Sequence, residues 1–281
     1  MNQSATIDQV WSLIEPMQSS TPILDSKDHH APSVFLAENM LREARRQKNL
    51  AVSPVPNICI LDPDGDLVSQ LQEAGRTAIC ESWACYHTKM YEFQEAGIRF
   101  GIIGCAVGAA FSVLLAEQAF ASGCELLISL SSAGQIIASE RVPYFILIER
   151  ALRDEGTSYH YLAPSRYAQA DATLTQPVLA ALLAAGQHVH PGATWTTDAP
   201  FRETEAAIAA ARREGILAVE MEAAALYAFA KARGKKVLCF AQVTNQMGQI
   251  EGDFEKGEAN SADSALTLIA IAGRVAMEIR I

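Results

Sequence analysis

The sequence predicts a single α/β domain, and three observations lead there. Its 281 residues, half of them hydrophobic, suffice for one large core. Short apolar runs of strand length recur between longer stretches with helical spacing. The first such run, residues 57–61, passes through the turn-rich Asp62-Pro63-Asp64-Gly65-Asp66 into a helix at 67–74, the strand–turn–helix order that begins a doubly wound sheet.

Residues 1–50 read as an N-terminal helical extension and 51–281 as the α/β domain. Pro32-Ser33 is placed to open a helix over Val34, Leu36, Met40 and Leu41, with Arg42, Arg45, Arg46 and Lys48 near its C-terminal end, where cations suit the dipole. This basic run reads as a solvated helix face, with an anion site facing a neighbouring subunit as the alternative. It is the one dense basic run in a chain of net charge −10, which argues against a broad nucleic-acid surface. Asp62, Asp64, Asp66 and Glu73 imitate a calcium loop, but Leu67 stands where that loop needs glycine, so no metal is expected.

Residues 86–93 and 98–105 predict a hairpin turning at Gln94-Glu95-Ala96-Gly97. The stretch from Gly104 to Ala110 leads into a helix ending near Ala121; Gly104 and Gly108 read as tight packing, with close approach to a ligand as the alternative. Strands follow at 125–130 and 143–150, a helix at 172–186 and a strand at 187–196. Asp198, before a proline turn, reads as a backbone anchor. His160 is either a base or a hydrogen-bonded structural residue. A strand at 236–243 and a helix at 265–279 close the chain.

Six cysteines, Cys59, Cys80, Cys85, Cys105, Cys124 and Cys239, lie scattered without a Cys-x-x-Cys pair and suggest free thiols in a reducing compartment. With neither a signal-like N-terminus nor a membrane-length apolar run, a cytoplasmic protein is expected, with no membrane partner.

Residues 219–230 predict a helix opened by Glu220 and Glu222. Carboxylates suit a helix N-terminus. A fixed carboxylate is also an acceptor-only group able to hold two neighbouring hydroxyls, as a ribose diol requires.

This stretch resembles the Glu-Met-Glu signature of the nucleoside phosphorylase family. Two further blocks, Thr194-Trp195-Thr196-Thr197-Asp198-Ala199-Pro200-Phe201-Arg202-Glu203-Thr204 and Glu155-Gly156-Thr157-Ser158-Tyr159-His160-Tyr161-Leu162-Ala163-Pro164, resemble its uridine-phosphorylase-like branch. The resemblance implies a three-layer αβα fold with a central mixed sheet, a small nucleoside as partner, no cofactor, and a homo-oligomer, hexamer or dimer, with shared sites. It further implies that Glu222 binds the ribose hydroxyls, that Met221 packs on the sugar, and that Glu220 lies beside base or ribose mainly through its backbone. Ser132 falls at the anion or nucleophile position, and Ala133 and Gly134 face the base. Arg202 is a candidate for a base carbonyl, with an ion pair to Glu203 or Glu205 as the alternative. Asn245 falls near an aspartic acid that protonates purine N7 in relatives; an amide donates a hydrogen bond but no proton, which favours a pyrimidine or 6-oxopurine.

The chain departs from the family where phosphate binds. Pro63 replaces a glycine, and Leu67 and Ser129 replace arginines. Phosphate as co-substrate is therefore left open. The order of expectation is a uridine-type phosphorylase, then a hydrolytic nucleosidase using water, then a nucleoside-binding protein with little catalysis.

Overall fold

A computed structural model describes residues 21–138, 140–247 and 260–280. In chain order the elements are α1 (Ala37–Lys48), β1 (Ile58–Asp62), α2 (Asp66–Glu73), β2 (Ala78–Ile79), β3 (Tyr91–Glu95), β4 (Ile98–Gly104), α3 (Ala109–Ala121), β5 (Leu126–Gln135), β6 (Tyr144–Asp154), β7 (Tyr167–Gln169), α4 (Ala172–Ala184), β8 (Val189–Thr197), α5 (Glu205–Arg213), β9 (Ile216–Glu220), α6 (Ala223–Arg233), β10 (Lys236–Asn245) and α7 (Asn260–Glu278).

They form the expected three layers around a mixed sheet. β5 pairs in parallel with β1 and β10, and the pairings β10–β6, β6–β8, β8–β9 and β9–β5 close a ring of five strands. β1 is buried along its whole length, as a strand covered on both faces must be. On one side Val113, Leu115 and Ala116 of α3 pack with Ala224, Leu226 and Phe229 of α6 against the sheet; on the other, Leu67 and Leu71 of α2, Leu174 and Val178 of α4, and Leu268 and Ile269 of α7 do the same. Among the described residues no helix is long and apolar enough to cross a membrane.

The β3–β4 hairpin turns on Ala96 and Gly97, both at positive φ, as a two-residue turn requires. Its first strand starts at Tyr91 rather than at 86, because the preceding segment is held as a loop by Tyr86 on Gln47 and Trp83 on Thr88. Of the expected N-terminal extension, residues 1–20 lie outside the described part. Helix α1 starts at Ala37 and packs Leu41 and Ala44 against Ala84.

One element differs in kind from expectation. Glu220 ends strand β9, and α6 begins only at Ala223, so one glutamate rather than two borders the helix, Glu222 at its N-cap. The run 216–220 is short and abuts an alanine-rich stretch, and β-pairing to β5 and β8 overrides the local helical pattern.

Candidate active site

Strand ends and loops meet around Glu222. Its side chain is buried; one carboxylate oxygen accepts the backbone N–H of Gly108 at 2.7 Å, the other the hydroxyl of Ser131 at 2.8 Å. Burial, followed by repulsion from Glu220, raises its pKa to about 7. Oε2 also accepts the Met221 N–H at a longer 3.3 Å, so the carboxylate's remaining acceptor capacity lies chiefly on Oε1.

Glu220 has none. One of its oxygens accepts the hydroxyls of Thr194 and Thr196, at 3.0 and 2.5 Å, and the other accepts the N–H groups of Glu222 and Ala223, both at 2.7 Å. Thr196 Oγ1 also accepts the N–H of Ala224 at 2.9 Å. The N-terminal donors of α6, which a helix cannot satisfy itself, are thus met by side chains from β8 and β9, and this fixes Glu222. The Glu220 carboxylate is thus fully occupied within the protein and holds the Glu222 backbone N–H. Met221 is half-buried beside it.

Gly108 is both more and less than packing. Its φ of 93° is open to glycine and nearly closed to other residues, and its N–H points at Glu222. Gly104 is the packing residue, since a Cβ there would lie 2.4 Å from Val68.

Ser132 follows Ser131 on β5, and its N–H donates to Asp64 Oδ2 at 3.1 Å. The acidic turn is therefore wired into the sheet: Asp62 is buried, accepts the Val68 N–H at 2.9 Å, and has its pKa raised to about 7 by burial against that hydrogen bond. Ser129 is enclosed between Leu61 and Cys239 of the neighbouring strands, and its hydroxyl has no hydrogen-bond partner. Among the described residues no hydrogen bond or ion pair joins a basic side chain to Asp62, Asp64, Ser129 or Ser132. The basic run on α1 is engaged elsewhere: Lys48 donates to the carbonyls of Ala84 and Cys85, Arg45 to Ser122, and Arg42 and Arg46 to Glu43.

Asn245 and Gly134 are register partners on β10 and β5, so two residues expected at the base do share one place. Asn245 is buried; its Oδ1 accepts the Met247 N–H at 2.9 Å, and Nδ2 donates to Thr244 Oγ1 at 3.3 Å, which leaves one Nδ2 hydrogen for a further acceptor. A Cβ on Gly134 would lie 2.8 Å from Met247, so no larger residue fits there; Ala133 is buried in the same strand. A cleft of about 490 Å³ lined by Gln135, Ile136, Arg212 and Gln246 adjoins this end. Another of about 460 Å³, lined by Glu149, Arg150, Gln169 and Thr175, shares none of these residues.

Arg202 is exposed on the short turn Pro200–Arg202, and it makes no ion pair with Glu203 or Glu205 and no hydrogen bond to the Glu222 cluster. His160 is not a base in this cluster; its Nδ1 lies 3.1 Å from Lys27 Nζ. The 155–164 block folds around Arg153. The buried Arg153 guanidinium donates to Ser158, Ser165 and the carbonyls of Leu162 and Ala163, and Asp198 anchors this loop by accepting the Gly156 N–H.

Comparisons with known proteins bear on the family and the fold. The family described as the phosphorylase superfamily matches residues 57–275. The uridine phosphorylase of Thermococcus kodakarensis is 26% identical over 258 residues, covering 83% of this chain and 90% of the relative. The guanosine phosphorylase of Halorubrum lacusprofundi is 23% identical over 210 residues, covering 75% and 78%. The crystal structure of uridine phosphorylase from Vibrio fischeri superposes with a TM-score of 0.64 at 19% identity, covering 91% of this chain and 99% of that one, a likeness of fold. With the match spanning most of the sheet and all of the Glu222 cluster, the chain belongs to the phosphorylase superfamily.

Proposed function

We propose that this chain cleaves the N-glycosidic bond of a ribonucleoside, with water as the attacking group. One observation carries the choice of water: the Ser132 N–H, at the position implied for the anion, is held by the Asp64 carboxylate. A carboxylate there repels phosphate and suits a water molecule, whose proton it is able to accept. Glu222 holds the ribose diol, Met221 lies against the sugar, and Asn245 Nδ2 donates to the departing base as negative charge develops on it. Ala133 and Gly134 back the strand beside Asn245, and an amide donor suits a pyrimidine or 6-oxopurine.

Phosphorolysis is the second reading, supported by relatives that carry phosphorylase names. It requires a cation that the described residues do not bring to Ser132, so a neighbouring copy would supply it. The exposed apolar side chains of Val34, Phe35 and Phe201 favour a homo-oligomer, which light scattering would measure. The free cysteines, five of them buried, support a reducing, cytoplasmic setting.

The deciding experiment incubates a panel of nucleosides with and without inorganic phosphate and follows free base, ribose and ribose 1-phosphate. Water as acceptor gives equal base release in both arms and ribose as the sugar product. Ribose 1-phosphate with phosphate-dependent turnover reverses the choice, and binding without turnover leaves a nucleoside-binding protein.

A further inference from the structure

Beyond the nucleoside pocket, Glu140, His188 and His190 bring three ligand atoms within 4.8 Å of one another. We propose that they form a divalent transition-metal site of the zinc class. His188 immediately precedes β8 and His190 is its second residue, and their rings lie together with centroids 5.1 Å apart. Glu140 comes from the loop between β5 and β6, and its two oxygens meet separate rings: Oε2 lies 2.5 Å from His188 Nε2 and Oε1 3.0 Å from His190 Nε2.

The His190 nitrogen is the telling atom. It is shut off from solvent and makes no hydrogen bond, its approach to Glu140 falling outside hydrogen-bond geometry. A cation that parts these direct contacts by up to about 1 Å, to the spacing a tetrahedral ion needs, would satisfy both imidazole and carboxylate. The surroundings hold the ligands in place: Tyr144 packs edge-on against the His190 ring with centroids 5.7 Å apart, and Gln135 Nε2 donates to the Glu140 carbonyl at 2.9 Å. Two imidazoles and one carboxylate select a borderline ion such as zinc over calcium or magnesium, and leave a coordination position for water. Because Glu140 lies on the loop that follows Ala133 and Gly134, an ion here would tie that loop to β8.

The test titrates the untagged, chelator-dialysed chain with zinc chloride by calorimetry and with cobalt(II) by absorption. One equivalent is expected to bind, with cobalt d–d bands and no thiolate charge-transfer band, since the six cysteines are the competing ligands. H188A and H190A should each weaken zinc binding by at least about tenfold, with metal-free melting by circular dichroism as in the parent. If a variant does not fold, the cobalt spectrum of the parent decides between nitrogen–oxygen and sulfur ligands. No zinc binding by the parent, a thiolate spectrum, or a folded H188A/H190A chain that binds as the parent does would overturn the proposal. None of these outcomes depends on nucleoside turnover.

Discussion

Asp64 and Ser132, 68 residues apart in the chain, are joined by a 3.1 Å hydrogen bond from the Ser132 N–H to the Asp64 carboxylate. The next residue back, Ser131, holds Glu222 through its hydroxyl. Consecutive residues of β5 therefore fix two carboxylates, one at each end of the proposed reaction.

Replacing Asp64 tests the water side. D64A is expected to lower base release by about 100-fold or more, the scale of a lost general base, with nucleoside affinity little changed because Glu222 is untouched. Steady-state kinetics with a separate binding measurement separates these effects, and an unchanged rate would remove Asp64 from the chemistry.

The pH dependence follows from the raised pKa of Glu222. Its folded value of about 7 exceeds the ordinary 4.5, so the folded chain binds more protons between these values. Stability from this group is fully present below about pH 4.5 and declines as pH rises through 7; Asp62, also near 7, acts in the same direction. Nucleoside affinity runs the opposite way, strengthening through the same window as Glu222 becomes the acceptor-only carboxylate. Denaturation and binding measured across that range check both signs, and E222Q should flatten the Glu222 component.

Thr196 is expected to matter without touching substrate. T196V leaves the buried Ala224 N–H without an acceptor and removes one donor to Glu220, which should cost about 1–3 kcal/mol in urea unfolding. As Glu222 loosens, kcat/KM should fall with it.

At Gly108 a methyl group would meet nothing within 4 Å, so G108A tests the backbone alone. Holding alanine at that φ should cost about 1–3 kcal/mol. If the residue relaxes instead, its N–H leaves Glu222, and nucleoside affinity should drop while stability recovers; calorimetry and unfolding curves distinguish the two.

What the sequence disclosed and what it hid divide along a physical line. The strand–turn–helix of β1 and α2, the alanine-rich α6 and the β3–β4 hairpin were legible because their signals are local: apolar runs, helical spacing and a Gly-containing turn. Glu222 was legible because it sits inside a contiguous motif. Strand β9 was hidden because five apolar or acidic residues abutting a helix carry no period of their own. The bonding of Glu220 was hidden too, since four donors from β8 and from the start of α6 converge on it only in the folded chain. Asp64 on Ser132 and Gly108 on Glu222 span 68 and 114 residues, and nothing local in the sequence encodes either. The 155–164 block marked the fold, while its residues serve mainly to enclose Arg153.

The most direct measurement compares kcat/KM for a ribonucleoside and its 2′,3′-dideoxy analogue in the parent and in E222Q. The parent should favour the ribonucleoside by at least about tenfold, the scale of one lost hydrogen bond to a charged group, and E222Q should erase most of that preference while remaining folded. Equal discrimination by both proteins would contradict the claim that Glu222 grips the sugar diol.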